Sequence, residues 1–169
     1  MIDKEILVDV VDIGVNGEGI AKHDGKVVFI PFVISGEKVC AKIIKENNNF
    51  VNAEVIEVVE KSSDRISSEC PYYGECGGCQ LQHLAYEKTL KVKTNIVENN
   101  LRKIAKCSEN VPLCIASKNK YRYRNKLTLS IDVVNGKTCV GLLKKNSHNI
   151  VAIQDCLIQE EWVVKLVEI

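Results

Sequence analysis

The 169-residue sequence predicts an α+β fold that is mainly β. Three observations carry this. Branched residues alternate with polar ones in short runs through the first sixty residues. The hydrophobic period turns helical over 84–106, and an Asn-Gly pair later separates two further branched runs.

EILVDVVDI (5–13) is the first run, and KVVFI (26–30) follows the turn HDG and stops at Pro31. In EKVCAKII (37–44), Val39, Ala41 and Ile43 share one face and Lys38 and Lys42 the other. In FVNAEVIEV (50–58), Val51, Ala53 and Val55 oppose Asn52 and Glu54. A period of two gives each run one buried and one wet face. GVNGEG, HDG, SGE and ENNN between them are turn chemistry. About five short strands in sixty residues predict a small closed β-barrel of oligonucleotide-binding type.

SSDRISSE (62–69) reads as a polar linker. Over 84–106, Tyr86, Leu90, Val97, Leu101 and Ile104 form one helical stripe, with Pro112 beyond its end. YRYRNKLTLSIDVV and KTCVGLL flank Asn135-Gly136, a strong short hairpin signal, and NIVAI (149–153) supplies a third strand. From Ile158 the pattern is helical again, through Trp162, Leu166 and Ile169. With no turn residue to end it, this helix reads as interrupted by a truncation. The expected domains are the barrel (1–61), a cysteine segment with its helix (62–110), and an antiparallel β region (111–169).

The net charge of +1 hides an asymmetry. Residues 1–65 hold 8 Lys/Arg against 12 Asp/Glu, residues 84–106 hold 6 against 2, and residues 117–149 hold 8 against 1. A polyanion would meet the second half of the chain. No apolar run approaches the ~18 residues of a membrane span. MIDKEILVDV, with Asp3, Lys4, Glu5 and Asp9, is not a signal peptide. The expectation is a cytoplasmic monomer with no membrane partner, its thiols kept reduced.

Eight cysteines in such a compartment direct attention to metal or catalysis. Cys70, Cys76 and Cys79 stand as C-x5-C-x2-C in CPYYGECGGC, and Cys156 follows in IQDCLIQ. Gly77 and Gly78 remove side-chain bulk and let backbone N–H groups turn toward sulfur. Spacing alone leaves several readings open: an iron–sulfur cluster, which tolerates irregular three-plus-one spacing; structural zinc, which favours two short pairs; a redox CxxC; and unligated core cysteines. Cys40, Cys107, Cys114 and Cys139 read as core packing. Cys114 competes with Cys156 for a fourth place. Cys156 is preferred because it closes the hairpin region.

CPYYGECGGCQLQH resembles the cluster motif of the bacterial RNA uracil-5-methyltransferases, the RumA/TrmA-like family. The first sixty residues, with IGVNGEGIAKHDGKVVFIPFVISGEKVCAKI, resemble the TRAM domain that precedes it there, and YRYRNKLTLSI and DCLI resemble the central domain. The resemblance implies that Cys70, Cys76, Cys79 and Cys156 ligate a structural [4Fe–4S] cluster. It implies an RNA partner, 23S rRNA in preference to tRNA, gripped by barrel and central domain. A separate domain would bind S-adenosylmethionine, add a cysteine thiolate to C6 of uracil and methylate C5. No Gly-rich strand–helix turn or matching nucleophile occurs here, so no catalytic residue is assigned and the chain is expected to be inactive alone.

As RNA contacts, YRYRNK (121–126) in an extended strand would project Arg122, Arg124 and Lys126 from one face and Tyr123 from the other. Such cations neutralise phosphates, and the Tyr and Arg planes stack on bases. Lys144 and Lys145 are further candidates. Two rival readings remain. One is a stand-alone nucleic-acid-binding module with structural zinc. The other is a TRAM-containing radical enzyme, whose C-x3-C-x2-C spacing differs from the gap of five here.

Overall fold

The computed structural model describes residues 3–134 and 136–167. It divides by packing into two units, one of Met1–Ser67 with His83–Ile115 and one of Ser68–Gln82 with Ala116–Ile169. This division differs from the three parts expected from the sequence. The cysteine segment groups with the later β region, and the helix that follows it groups with the barrel.

In the first unit, β1 (Glu5–Asp9), β2 (Asp12–Ile13), β3 (Gly19–His23), β4 (Lys26–Ile30), β5 (Lys38–Glu46) and β6 (Phe50–Glu60) form one sheet in the order β1-β5-β6-β4-β3-β2. β1 and β2 are a single bent stretch. Its first half pairs with β5 and its second with β3, which closes the sheet on itself. At the bend, Val10 N–H donates to Glu37 C=O and Val11 N–H to Ile20 C=O, both at 2.8 Å. β4 and β6 make the one parallel pairing in this sheet. This is the expected small barrel. Val39, Ala41, Ile43, Val51 and Ala53 turn inward as their alternation requires, onto Ile6, Val8, Val28 and Ile30. Gly19 is there because a Cβ would lie 2.4 Å from Val33 Cγ2. Phe50 keeps its ring edge-to-face on Phe29, centroids 5.8 Å apart, at the barrel rim.

Glu37 is 1% exposed, an unusual place for a carboxylate. Arg65 resolves the conflict. Its Nε and Nη2 both donate to the Glu37 carboxylate, and Nη2 also reaches Phe32 C=O at 2.9 Å. Ile34 N–H supplies a further bond at 2.9 Å. Burial alone would raise the Glu37 carboxyl, but the bonds from Arg65 and Ile34 hold it below its ordinary value. Arg65 thereby ties the polar linker to the barrel. Next to it Ile66 N–H donates to His83 C=O and Ala85 N–H to Asp64 C=O, which fixes the start of the helix α1 (Tyr86–Lys103). Only part of the expected helical stripe is covered: Leu90 is buried, while Val97 is 47% and Ile104 78% exposed. Thr89 and Thr94 complete the buried face, their hydroxyls satisfied by the carbonyls of Tyr86 and Leu90.

In the second unit, β7 (Ser130–Val134), β8 (Lys137–Leu143) and β9 (Ile150–Ala152) form an antiparallel sheet in that order. The hairpin forms where predicted, with Gly136 at φ 76°; Asn135 lies outside the described residues. Gly141 is required, since a Cβ would lie 2.0 Å from Val151 O. The strand expected from Tyr121 begins only at Ser130. The last helix, α2, runs Trp162–Val167, and Ile158, expected on its stripe, is instead buried in the preceding turn. The side chain of Leu166 and residue Ile169 lie outside the described residues. Among the described residues no helix is long and apolar enough to cross a membrane.

His83 is 4% exposed. Burial first, then the Arg65 cation, push its imidazole down to about 4 from 6.5. The unfolded chain therefore binds a proton between these values that the folded chain refuses. Stability is full above pH 6.5 and falls as pH drops toward 4. Glu37 adds a loss of the same sign below its ordinary value of 4.5. Denaturant melts across this window should show a decline on the order of 3 kcal/mol from His83. His83→Gln should flatten the profile between pH 6.5 and 4.

Candidate functional site

Cys70, Cys76, Cys79 and Cys156 all line one cavity of about 360 Å³ within the second unit. All eight cysteines are free thiols. The first three arrive on a chain of tight turns. Tyr73 N–H donates to Cys70 C=O at 3.2 Å and Cys76 N–H to Tyr72 C=O at 2.9 Å, with Gly74 at φ 98° between them. Gly77 then presses against the end of β8. Its N–H donates to Leu143 C=O at 2.9 Å, and a Cβ there would lie 3.2 Å from both Leu143 O and the Lys145 backbone. Gly78 N–H points at Cys76 Sγ, 3.4 Å away, as a glycine pair between thiols allows. Tyr72 pins the other side, its hydroxyl accepting Gln154 N–H at 2.9 Å.

Cys156 arrives separately, on a turn closed by Gln159 N–H donating to Cys156 C=O at 2.9 Å. Burial raises the Cys156 thiol, while the N–H groups of Ile158 and Gln159 lower it and Cys76 and Cys70 raise it again. Cys79 is also pushed up by burial, against a hydrogen bond from Gln82, with Cys156, Cys76 and Cys70 adding to the rise. The neighbouring thiols thus oppose ionisation of Cys79 and Cys156. Ser68 orients the Gln82 carboxamide, its hydroxyl 2.7 Å from Oε1, and accepts Cys70 N–H at 3.1 Å. Cys114, the competitor for the fourth place, belongs to the first unit, where its N–H donates to Thr94 Oγ1 at 2.9 Å.

By its chemistry this donor set is one that could hold a polynuclear cationic centre. Thiolates are its ordinary ligands, backbone N–H groups already face two of the sulfurs, and the cavity is many times the space of one ion or water. Among the described residues, no group of three or more His, Cys, Asp or Glu side chains is arranged to hold a metal ion.

The cations expected in a row are separated. Arg122 stands at φ 55° and is half-buried. Its guanidinium grips Asp155 with two bonds of 2.7 and 2.6 Å, holding that carboxyl below its usual range. An extended strand cannot hold an L-residue at positive φ, so the alternation read from YRYRNK fails at its second residue. Arg124 and Lys126 are exposed and line the cysteine cavity. Tyr123 is 56% exposed. Lys144, exposed beside the cysteine loop, lies 3.4 Å from Glu75 Oε2, and Lys145 is exposed. Sequence reasoning missed Asp155, Gln82 and Gln159. No spacing marks them, although Asp155 adjoins Cys156.

Residues 1–56 match the TRAM domain family. A protein of Listeria monocytogenes serotype 4b named as an uncharacterized RNA methyltransferase is 40% identical over 159 residues, 94% of this chain and 35% of the relative. One of the same description from Clostridium acetobutylicum is 41% identical over 162 residues, again 94% of this chain and 35% of the relative. The crystal structure of Pyrococcus abyssi tRNA (uracil-54, C5)-methyltransferase with S-adenosyl-L-homocysteine superposes with a TM-score of 0.61 at 20% identity, over 95% of this chain and 35% of that one. Its first 56 residues are thus similar to TRAM domains, and over 94% of its length the chain is similar to part of proteins named as RNA methyltransferases. It spans about a third of the length of the curated relatives it matches.

Gly77→Ala should strain the seat of the cysteine loop on β8. We expect a loss of about 1–3 kcal/mol by chemical denaturation. No change would mean that the loop shifts freely.

Proposed function

We propose that this chain is the RNA-recognition and iron–sulfur part of an S-adenosylmethionine-dependent RNA uracil-C5 methyltransferase. The reading rests above all on four thiols of the family-type motif, distant in sequence, lining one cavity within one unit. Cys70, Cys76, Cys79 and Cys156 would hold a [4Fe–4S] cluster. Its contribution there is structural, fixing the cysteine loop and the 155–159 turn together. S-adenosylmethionine and the methyl-transfer chemistry belong to the remaining length that relatives possess. The substrate class is a uracil in structured RNA, ribosomal or transfer. The relatives' names and the structural neighbour, a tRNA uracil methyltransferase, support this class.

Arg124 and Lys126 are the cations best placed for phosphate, being exposed on the rim of the cysteine cavity, with Tyr123 exposed nearby as a stacking ring. Lys144 and Lys145 extend the positive surface beside the cysteine loop.

Anaerobically prepared protein should contain iron and acid-labile sulfide in near-equal amounts, and Cys156→Ser should lose much of both. Stoichiometric zinc without sulfide would overturn the cluster. A cluster untouched by Cys156→Ser would return the site to three ligands, as in the radical enzymes. Independently, Arg124→Ala with Lys126→Ala should weaken RNA binding and flatten the plot of log K against log salt. The slope should fall by about 0.7 for each single-strand phosphate no longer neutralised. An unchanged slope would remove this face from the RNA interface.

A further inference from the structure

Arg122 spends its guanidinium on the turn that carries Cys156. Nη1 and Nη2 bind the two Asp155 oxygens, and Nη1 also lies 3.2 Å from Cys156 C=O and 3.3 Å from Gln159 C=O. Its backbone N–H donates to Leu157 C=O at 2.9 Å. Asp155, held from behind by this fork, accepts Cys156 N–H at 2.6 Å. One side chain thus touches both ends of the turn, and one residue contacts Asp155, Cys156, Leu157 and Gln159. The left-handed backbone at Arg122, φ 55°, is the conformation the chain adopts there while making these contacts.

We propose that Arg122 is the positioning residue for Cys156. It braces the 155–159 turn so that the fourth thiol stands at the cavity before any inorganic centre is present. The other three thiols need no such brace. Their loop is held by its own turns, by Gly77 on β8 and by Tyr72 on Gln154. Cys156 lies seventy-seven positions after Cys79 and depends on contacts made by residues far from it in sequence. Asp155 alone cannot do this, because its carboxylate needs the fork to fix its orientation. A lysine could offer a point charge but not the two parallel bonds.

The inference rests on the four-thiol reading above, and two measurements separate them. In the metal-free 169-residue chain, hydrogen exchange of a peptide spanning 153–160 should quicken in Arg122→Gln, while a β8 peptide stays as protected as in wild type. After anaerobic loading with iron and sulfide, the same variant should surrender iron to a chelator about ten-fold faster or more, approaching Cys156→Ser. Arg122→Lys should fall between the two. If Arg122→Gln loses protection throughout, Arg122→Lys decides by the same pair of measurements. Wild-type exchange over 153–160, or wild-type iron release, overturns the brace. A wild-type chain that takes up no iron and sulfide overturns the four-thiol reading instead, and the exchange result still judges whether Arg122 holds the turn.

Discussion

Four thiols facing one cavity cannot ionise independently. Burial holds the thiols of Cys79 and Cys156 above their ordinary value, and the neighbouring thiols of the set add to that rise. The surrounding unit answers with donors. Gly78 N–H faces Cys76, Gln82 faces Cys79, and the N–H groups of Ile158 and Gln159 face Cys156. These dipoles offset part of the repulsion but leave the thiols of Cys79 and Cys156 above their ordinary values. A multivalent cation, as proposed above, would offset the repulsion among four thiolates there.

The barrel and the cysteine motif are largely legible in the sequence, for different reasons. Strand alternation is dictated by burial on one face, so Val39, Ala41, Ile43, Val51 and Ala53 can be placed from residue order alone. The cysteine spacing is chemistry written directly in residue types. The failures share one cause: long-range contacts that leave no local mark. Tyr121 to Leu129 alternates like a strand, yet Arg122 takes a positive φ and folds back onto Asp155, thirty-three positions away. The stripe of α1 is apolar as its period predicts, but nothing in a helical period says how much of it will be covered within one unit. The grouping of helix with barrel involves Asp64 and Ile66, which hold the start of the helix, beside Arg65 on Glu37, a pair of opposite charges that sequence alone gives no reason to join.

That pair also explains how a polar linker can have a defined path. A buried carboxylate stripped of its partner is costly, so the barrel and the segment Ser62–Arg65 hold one another in register. His83 sits behind Arg65, kept neutral by the same burial and cation. Neutrality matters because a protonated imidazole would compete with Arg65 for the Glu37 carboxylate and add a second buried charge. The start of α1 is thus held by backbone hydrogen bonds to a linker that Arg65 anchors, while Leu90 and Thr94 are buried further along it.

The reassignment of Arg122 changes how the basic second half should be weighed. Residues 117–149 hold 8 Lys/Arg against 1 Asp/Glu, which reads as a polyanion site. But Arg122 is neutralised by Asp155, and Lys144 shares its charge with Glu75 at 3.4 Å. Both acidic partners lie outside that window, so window counting overstates the free charge. Cations at Arg124 and Lys126 remain exposed, on the same cavity that the thiols line. Part of the positive charge of this window thus lies beside the sulfur site, while Lys118, Lys120, Lys137 and Lys145 are exposed as well. A centre bound there would carry its own charge into that field. If the proposed cluster and RNA contact both hold, occupancy of the thiol cavity and RNA contact at this face would be electrostatically coupled, even if no base or phosphate ever touched a sulfur.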